Sequence, residues 1–406
     1  MKRITFLIVI LCTFWASGTW AQDPPRYTVQ DLGTLGGGTY SYAGGISNNA
    51  LVAGSSTLSD GTYRAFLWWN GWMLDLGTLG GPNSQANYRP SESGEVGGIS
   101  DTTTTDPNGE DFCGFGTYLE CHPFSWQNGV MTPLPLLGGN NGYAGGVNNQ
   151  GQVAGAAEYN TPDPTCTLPL AFLRLGAVVW ENGKIIEKLP ALRGDPDAFA
   201  YAINDKGQAI GFSTNCSSAP VRAVLWQDDR VTNLGSLGGT ISVGGDINNR
   251  GQVVGFSYLA DNTTFHGYLW QKSTGMIDLG TLPGDVASDA NGINNLGQVA
   301  GGSYDADGNG RAVLWQNGVM TDLNTLIPPD SPLYLIDSSG TINDQGQIAG
   351  YALQVSTGEV HAFLATPTWG YWEISERPRV VLPENIRRLL QQRRGGRFGV
   401  KLARPQ

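Results

Sequence analysis

Three histidines, His122, His266 and His361, are all the imidazoles this chain has. An imidazole at the right place acts as a general base or a metal ligand. Each of these, however, stands two residues before the Phe or Tyr of an aromatic run: "HPFSW", "HGYLW", "HAFLA". Arg64, Arg222 and Arg311 fill the same place in sister runs. A catalytic histidine should stand out from a repeat, and these are the repeat. They are expected to be structural, the alternative being a rim of His and Arg that binds anions. The recurrent "DLG" acids Asp31, Asp75, Asp278 and Asp322 are read the same way, because Pro133, Lys188 and Asn233 replace them in other copies. An Asp beside a Gly commonly accepts from backbone N–H groups at a strand end.

One loop has ligand spacing. In "DADGNG", Asp305, Asp307 and Asn309 place oxygens at alternate positions, with Gly310 at the bend, like the first half of a calcium loop. The twelfth position, where an acid should close the site, is Gln316. A bare polar hairpin is the primary expectation and calcium the alternative; no other cofactor is implied. G-x-S-x-G, H-E-x-x-H, a P-loop and a metal-spaced Cys/His set are all missing from the sequence.

What must position these side chains is a repeated unit. "INNLGQVAG" (293–301) returns as "VNNQGQVAG", "INDKGQAIG", "INNRGQVVG" and "INDQGQIAG". Residues 278–323 show a whole copy: four strand-sized segments, "SDANGI", "QVAGGSY", "RAVLW" and "VMTDL", separated by polar turns. Asn317-Gly318 between the last two is a strong hairpin signal, because a type I′ turn needs positive φ at both central residues. Four short antiparallel strands per copy make one blade of a propeller. The third-strand motif occurs seven times and so does the fourth, but offset: the chain begins with a fourth strand and ends with a third. The predicted fold is therefore an all-β, seven-bladed β-propeller over residues 22–367. Residues 27–32 would join the last sheet near Gln347–Leu364 and close the ring. Small residues on the first strand (Ala43, Ala144, Ala200, Gly244, Ala290, Ser339) suit a crowded axis. The second copy departs, since 85–93, "QANYRPSES", lacks the Asn-Asn turn.

Outside the repeat, residues 1–21 read as a secretory signal peptide cut before Gln22, with Lys2 and Arg3 ahead of an apolar run. No later apolar run is long enough to span a bilayer. The expected location is extracellular or periplasmic. Export permits disulfides, and Cys113, Cys121, Cys166 and Cys216 all fall in loops between second and third strands. Two of these loops are long inserts, from about Ile99 to Cys121 and from about Ala156 to Gly176. Corresponding loops leave a ring on one rim, which favours Cys113–Cys121 within one loop and Cys166–Cys216 between neighbours. Residues 368–406 form a basic tail, with nine Lys/Arg against three acids after Gly370. "PENIRRLLQQRR" within it could form a short amphipathic helix, although a solvated tail is the primary expectation.

Together "HAF" (361–363), "RAFLW", "DLGTLGG", "LGSLGG" and the "INNxGQVxG" turn resemble the HAF-repeat family of probable extracellular bacterial proteins over roughly residues 27–366. That resemblance implies secretion and a repeated β architecture. It supplies no agreed activity or catalytic set.

The formal charge of −11, with Lys+Arg 24 against Asp+Glu 35, argues against nucleic acid as a partner. The leading expectation is a monomeric binding or scaffolding module for an extracellular protein or glycan. Tyr118, His122, His266 and His361 are its candidate contact residues. A carbohydrate-active enzyme, hydrolase or lyase, with paired carboxylates in the axial funnel is the first alternative. A structural cell-surface protein is the second.

Overall fold

The computed structural model describes residues 25–166, 172–216, 220–368, 377–384 and 386–388. The expected signal segment, 1–21, lies outside them, as do the tail residues 369–376 and 389–406. The chain is all-β. Its regular helix, among the described residues, is one 3-10 turn at Leu323–Thr325 and a short turn in the tail.

The strands assemble as five separate four-stranded sheets and one eight-stranded sheet that combines the two ends of the chain. The sheet over 238–278 is typical. Gly238–Ile247 pairs with Val253–Leu259, which pairs with Phe265–Gln271, which pairs with Gly275–Asp278, all antiparallel. Burial falls across it. Most of the first strand is inside, the third is apolar and buried on both faces, and the fourth is largely exposed. A strand buried on both faces needs neighbouring sheets packed against it. The core accordingly consists of aromatic and aliphatic layers between sheets, with Phe66, Phe124, Trp180, Trp226, Tyr268 and Phe363 shut inside. The hairpin glycines behave as the sequence required: Asn317 and Gly318 take φ 54° and 81°.

The ends of the chain meet. Arg26–Gly33 pairs antiparallel with Val360–Thr368, Arg26 opposite Thr368 and Asp31 opposite Phe363. Tyr27 in this added strand is fully buried, and its N–H donates to the Leu326 carbonyl at 2.9 Å. One parallel pair, Tyr40 with Val360, joins this sheet to the next.

The irregular second copy has a physical role. Its first strand shrinks to Ser84–Gln85. The chain then runs so close to the preceding sheet that a Cβ on Gly45 would lie 2.2 Å from the Arg89 backbone nitrogen. Only glycine fits there.

The tail is not simply solvated. Leu382 and Ile386 are buried against Tyr40, Tyr42, Tyr334 and Tyr351. Arg377 donates to the carbonyls of Leu333, Ser331 and Pro329 at 2.9, 2.7 and 3.2 Å. Arg379 pairs with Asp285 and, at 2.9 Å, with Asp305. The expectation of a free tail is therefore corrected for residues 377–384 and 386–388. It failed because the acids that receive these arginines are far away in sequence.

Candidate functional site

Most polar residues of the repeat are occupied in holding it together. In the turn at 294–297, Asn294 Oδ1 accepts from the backbone N–H of Leu296 and Gln298, both at 3.0 Å. Its Nδ2 donates to Gln298 Oε1 and to the Asn343 carbonyl of the neighbouring turn at 2.9 Å. Asn148, Asn204, Asn248 and Asn343 repeat the scheme. The next residue of each turn adds a second link. The N–H of Asn295 donates to Asp344, Asp344 to Asn48, Asn48 to Glu92, and Glu92 to Asn149. Asn149 then donates to Asp205, Asp205 to Asn249, and Asn249 back to Asn295. In the copy without Asn-Asn, Glu92 supplies the missing acceptor.

The axis beneath these turns is filled. The rings of Tyr88 and Tyr201 stack at 5.6 Å, and Phe199 packs on Tyr201 at 4.9 Å. Arg89 reaches across to Asp246 at 3.3 Å and to the Ile342 carbonyl at 3.3 Å. A cavity of about 50 Å³ is left beside Arg89, Thr341 and the turn amides. The amides that line it already bond to the next turn, so a funnel-like site at this end has little room and few available groups.

The histidines pair with the "DLG" acids. His361 Nδ1 lies 2.9 Å from Asp31, and His266 Nδ1 lies 2.9 Å from Asp278. Arg311 reaches Asp322 at 3.5 Å, and Arg64 reaches Asp75 at 3.7 Å. The same acids accept from the N–H two residues on, as in Gly33 to Asp31 and Gly280 to Asp278. Hydrogen bonding to Asp31 raises the His361 pKa against the opposing effect of burial. Burial pushes Asp31 up, but His361 and the Gly33 N–H outweigh it and hold it below the usual range. His122 has Glu120 at 3.7 Å, and burial lowers its pKa. The three histidines sit in separate sheets and do not converge. Tyr118 is 54 % exposed and takes φ 56° at the end of its insert, just before the strand that carries His122.

The Asp305 loop receives the tail. Asp305 accepts from the N–H of Asp307 and Asn309 at 3.0 and 2.8 Å, from the Asn309 side chain, and from Arg379. Asn309 Oδ1 accepts from the Leu382 N–H at 2.9 Å, and Arg387 reaches the Asp307 carbonyl. A guanidinium thus stands where the loop's charge would have drawn a cation.

The arrangement with chemical potential lies elsewhere, at the strand ends opposite the Asn turns. The inserts enclose a cavity of about 210 Å³ there. Cys113 is bonded to Cys121, and Cys166 to Cys216, the second bridge joining neighbouring sheets. Phe115 stacks on Tyr63 at 6.0 Å and steadies the first insert. Phe112, Phe172, Leu173, Phe199 and Phe212 form the apolar wall. Glu110, Glu158, Asp163 and Asp197 face the same space.

Two of these carboxyl groups, Glu158 and Asp197, are held in unusual states. Glu158 is 1 % exposed and its Oε2 accepts from the N–H groups of Asn140 and Asn141 at 3.1 and 2.9 Å. Burial outweighs those bonds and raises its pKa to about 7. Asp197 is 7 % exposed and accepts from the Leu175 N–H at 2.8 Å. Burial, with a hydrogen bond to Asp163, carries it to about 8. The bond to Asp163 favours the protonated Asp197, which donates in it. Asp163 is fixed by Thr165, which donates both its N–H and its hydroxyl at 2.7 Å. Asp163, Cys166 and Cys216 also bring ligand atoms within 4.8 Å of one another. Both sulfurs are in a disulfide, however, which removes them as thiolate ligands.

Sequence reasoning located the inserts but missed Glu158, Asp163, Asp197 and Phe199. A signal did exist. Asp197 occupies the first-strand position that holds Tyr40, Asn141, Ile241 and Ala287 in other sheets. Glu158 stands where others have Thr57, Thr214, Tyr258 and Tyr304, with Asp101 as the other acid at this place.

No family model matches the chain, and no curated protein matches its sequence. Solved structures do resemble it. An oligogalacturonate lyase in complex with manganese matches at 13% identity and a TM-score of 0.51, over 86% of this chain and 98% of its own. The acylaminoacyl peptidase of Pyrococcus horikoshii matches at 11% identity and TM-score 0.45, over 80% of this chain. A puromycin hydrolase matches at 12% identity and TM-score 0.45, over 87%. The chain spans about half the length of these last two, 52% and 57%. At such identities the likeness is one of fold, and the chain is similar to the oligogalacturonate lyase in its propeller-like array of four-stranded sheets.

Proposed function

We propose that the chain is an exported seven-bladed β-propeller of the HAF-repeat type, closed by Arg26–Gly33, that binds an extracellular protein or glycan on its insert-bearing face. The pairing of Arg26–Gly33 with Val360–Thr368 and the circle of turn-to-turn hydrogen bonds support the closed ring. The His361–Asp31 pair ties the "HAF" motif of the last sheet to the "DLG" motif of the first strand. The Asp305, Asp307 and Asn309 loop serves in this reading as the tail's anchor in place of a calcium site.

The observation that carries a binding function is the cavity of about 210 Å³, walled by aromatic rings and carboxyl groups and bounded by both disulfides. Concave sites with an apolar wall and a few convergent polar groups are where ligands bind. A glycan array and a peptide-display screen with the exported chain test this, alongside Phe112→Ser in the insert. A ligand whose affinity falls at least tenfold in that variant, with the melting temperature kept, supports the reading. A ligand indifferent to it removes the cavity from the function.

A second reading is a hydrolase. Carboxyl groups with pKa values near neutrality are what general acid–base catalysis uses. Turnover of chromogenic glycosides that disappears in Asp197→Asn would establish it, and unchanged turnover would dismiss it. The oligogalacturonate lyase lends no substrate to this reading: galacturonate is anionic, and an acidic cavity repels it.

A further inference from the structure

We propose that the insert cavity takes an organic cation on a flat apolar body, an ammonium or guanidinium carried by a ring or a short chain. This rests on the reading that the cavity is the binding site. The charge around it has one sign. Glu158 comes from one sheet, Asp163 from the loop joining the second and third strands of that sheet, Asp197 from the next sheet, and Glu110 and Asp111 from the other insert. Asp106 stands behind Glu158, bonded to Asn141 at 2.8 Å. Among the described residues no Lys, Arg or His lines the space. The nearest cation, Arg174, lies over the Tyr159 ring at 5.2 Å and donates to the Pro196 carbonyl at 3.1 Å, outside the lining.

The wall is suited to the same ligand. Phe112 and Phe172 line the space as partly exposed rings, and Phe199 and Phe212 back them, stacked on each other at 5.5 Å. A cation is attracted to the face of an aromatic ring when water is excluded. The volume of about 210 Å³ exceeds the roughly 150 Å³ that accommodates a bare benzene ring, so one ring and a short charged arm fit.

The resting state of the acids adds a coupling. Burial keeps Asp197 largely protonated at neutral pH and Glu158 about half so. A cation beside them favours the carboxylate, so the acid gives its proton to solvent as the ion pair forms. Binding should release protons and should strengthen with pH. Glu110, Asp111 and Asp163 face the same ligand and add charge of the same sign, while Arg174 opposes it.

Isothermal titration of the exported, disulfide-intact chain tests the inference with three probes of one shape: benzylguanidinium, neutral benzylurea and anionic phenylacetate. The guanidinium keeps its charge across the range used. The expected result is binding of the cation at least tenfold tighter than the others. Its affinity should rise by about tenfold from about pH 6 to about pH 9, and the heat should vary with buffer ionisation in the sense of proton release. Asp197→Asn should lower the affinity at high pH and flatten the trend. Equal or tighter binding of benzylurea or phenylacetate, lost in Phe112→Ser, overturns the cation while keeping the cavity as the site. Failure of all three probes, with a screened ligand that ignores Phe112→Ser, overturns both.

Discussion

Asp197→Asn should make the fold less sensitive to alkali, and the size of the effect follows from the site. In the folded chain the carboxyl rises from 3.8 to about 8, chiefly through burial and secondly through its hydrogen-bonded partner Asp163, against the opposing Leu175 N–H. The folded state therefore holds a proton that the unfolded chain releases. That contribution to stability is full below about pH 4 and is lost as pH climbs toward about pH 8. The complete shift would correspond to roughly 6 kcal/mol. The cavity opens to solvent and Arg174 is near, so a loss of about 2–4 kcal/mol between about pH 5 and about pH 9 is expected. Glu158, raised to about 7, acts in the same direction. His361, raised by Asp31, also contributes stability that disappears as pH rises.

Asparagine keeps the oxygen that accepts from Leu175 and gains an amide that donates to Asp163, without a proton to lose. Urea unfolding monitored by tryptophan fluorescence, disulfides intact, at about pH 5, 7 and 9 measures the slope. The variant should lose about half of the wild-type decline or more. Wild-type stability that is flat or rises over this range refutes the assignment of buried, proton-holding acids. So does an Asp197→Asn slope equal to the wild-type slope.

Four further outcomes are expected. Ala50 takes φ 59° where Gly297 and its counterparts stand in other turns, so Ala50→Gly should stabilise the chain by roughly 0.5–1 kcal/mol in the same urea assay, and destabilisation would contradict the turn geometry. Asn294→Ala removes a side chain that bonds both its own turn and the next, and should cost about 2–3 kcal/mol; a loss under about 0.5 kcal/mol would make the turn circle incidental. Truncation after Thr368 strips Leu382 and Arg379 from their partners and should lower the melting temperature by several degrees, about 2–4 kcal/mol, where a solvated tail would leave it unchanged. Serine at both Cys166 and Cys216, which close a 50-residue separation, should cost about 4 kcal/mol by chain entropy and weaken cavity ligands together with stability.

The architecture was legible because it is written several times. Asn317-Gly318 needs no context to be read as a hairpin, and the offset between third and fourth strands pointed to a pairing that Arg26–Gly33 makes with Val360–Thr368. The cysteine loops were likewise legible, since corresponding loops of successive sheets leave at one end. What stayed hidden depends on contacts that sequence distance conceals. Arg379 meets Asp285 across 94 residues, and neither residue has a local pattern to mark it. Glu92 replaces an Asn-Asn turn with a carboxylate that accepts from the N–H groups of Asn48 and Asn49, which only the neighbouring turn reveals.

The repeat itself indicates where chemistry can reside. Each recurring polar side chain has a recurring partner: Asn294 the next turn, Asp278 a histidine and a glycine N–H. A group bonded in this way is desolvated at little cost and offers few lone pairs or protons to a ligand. Function must then use positions where a copy breaks the pattern. Three such breaks lie at or beside the axis and the insert face: Tyr88-Arg89, Glu158 and Asp197. The first is used up in filling the axis, where Arg89 bonds Asp246 and Ile342. The other two are acids, Asp197 where sister strands have neutral residues and Glu158 at a place where only Asp101 is also acidic. They face one cavity with Asp163, which opens its loop as Asp106 and Asp305 open theirs. Burying ionisable groups without cations in the lining costs stability, which the N–H groups of Asn140, Asn141 and Leu175 that they receive offset only in part. Sister sheets pair the same strands with Thr57 and Ala287 at these positions, so the pairing itself does not need an acid. The acids are best understood as groups kept for a partner that supplies the missing positive charge.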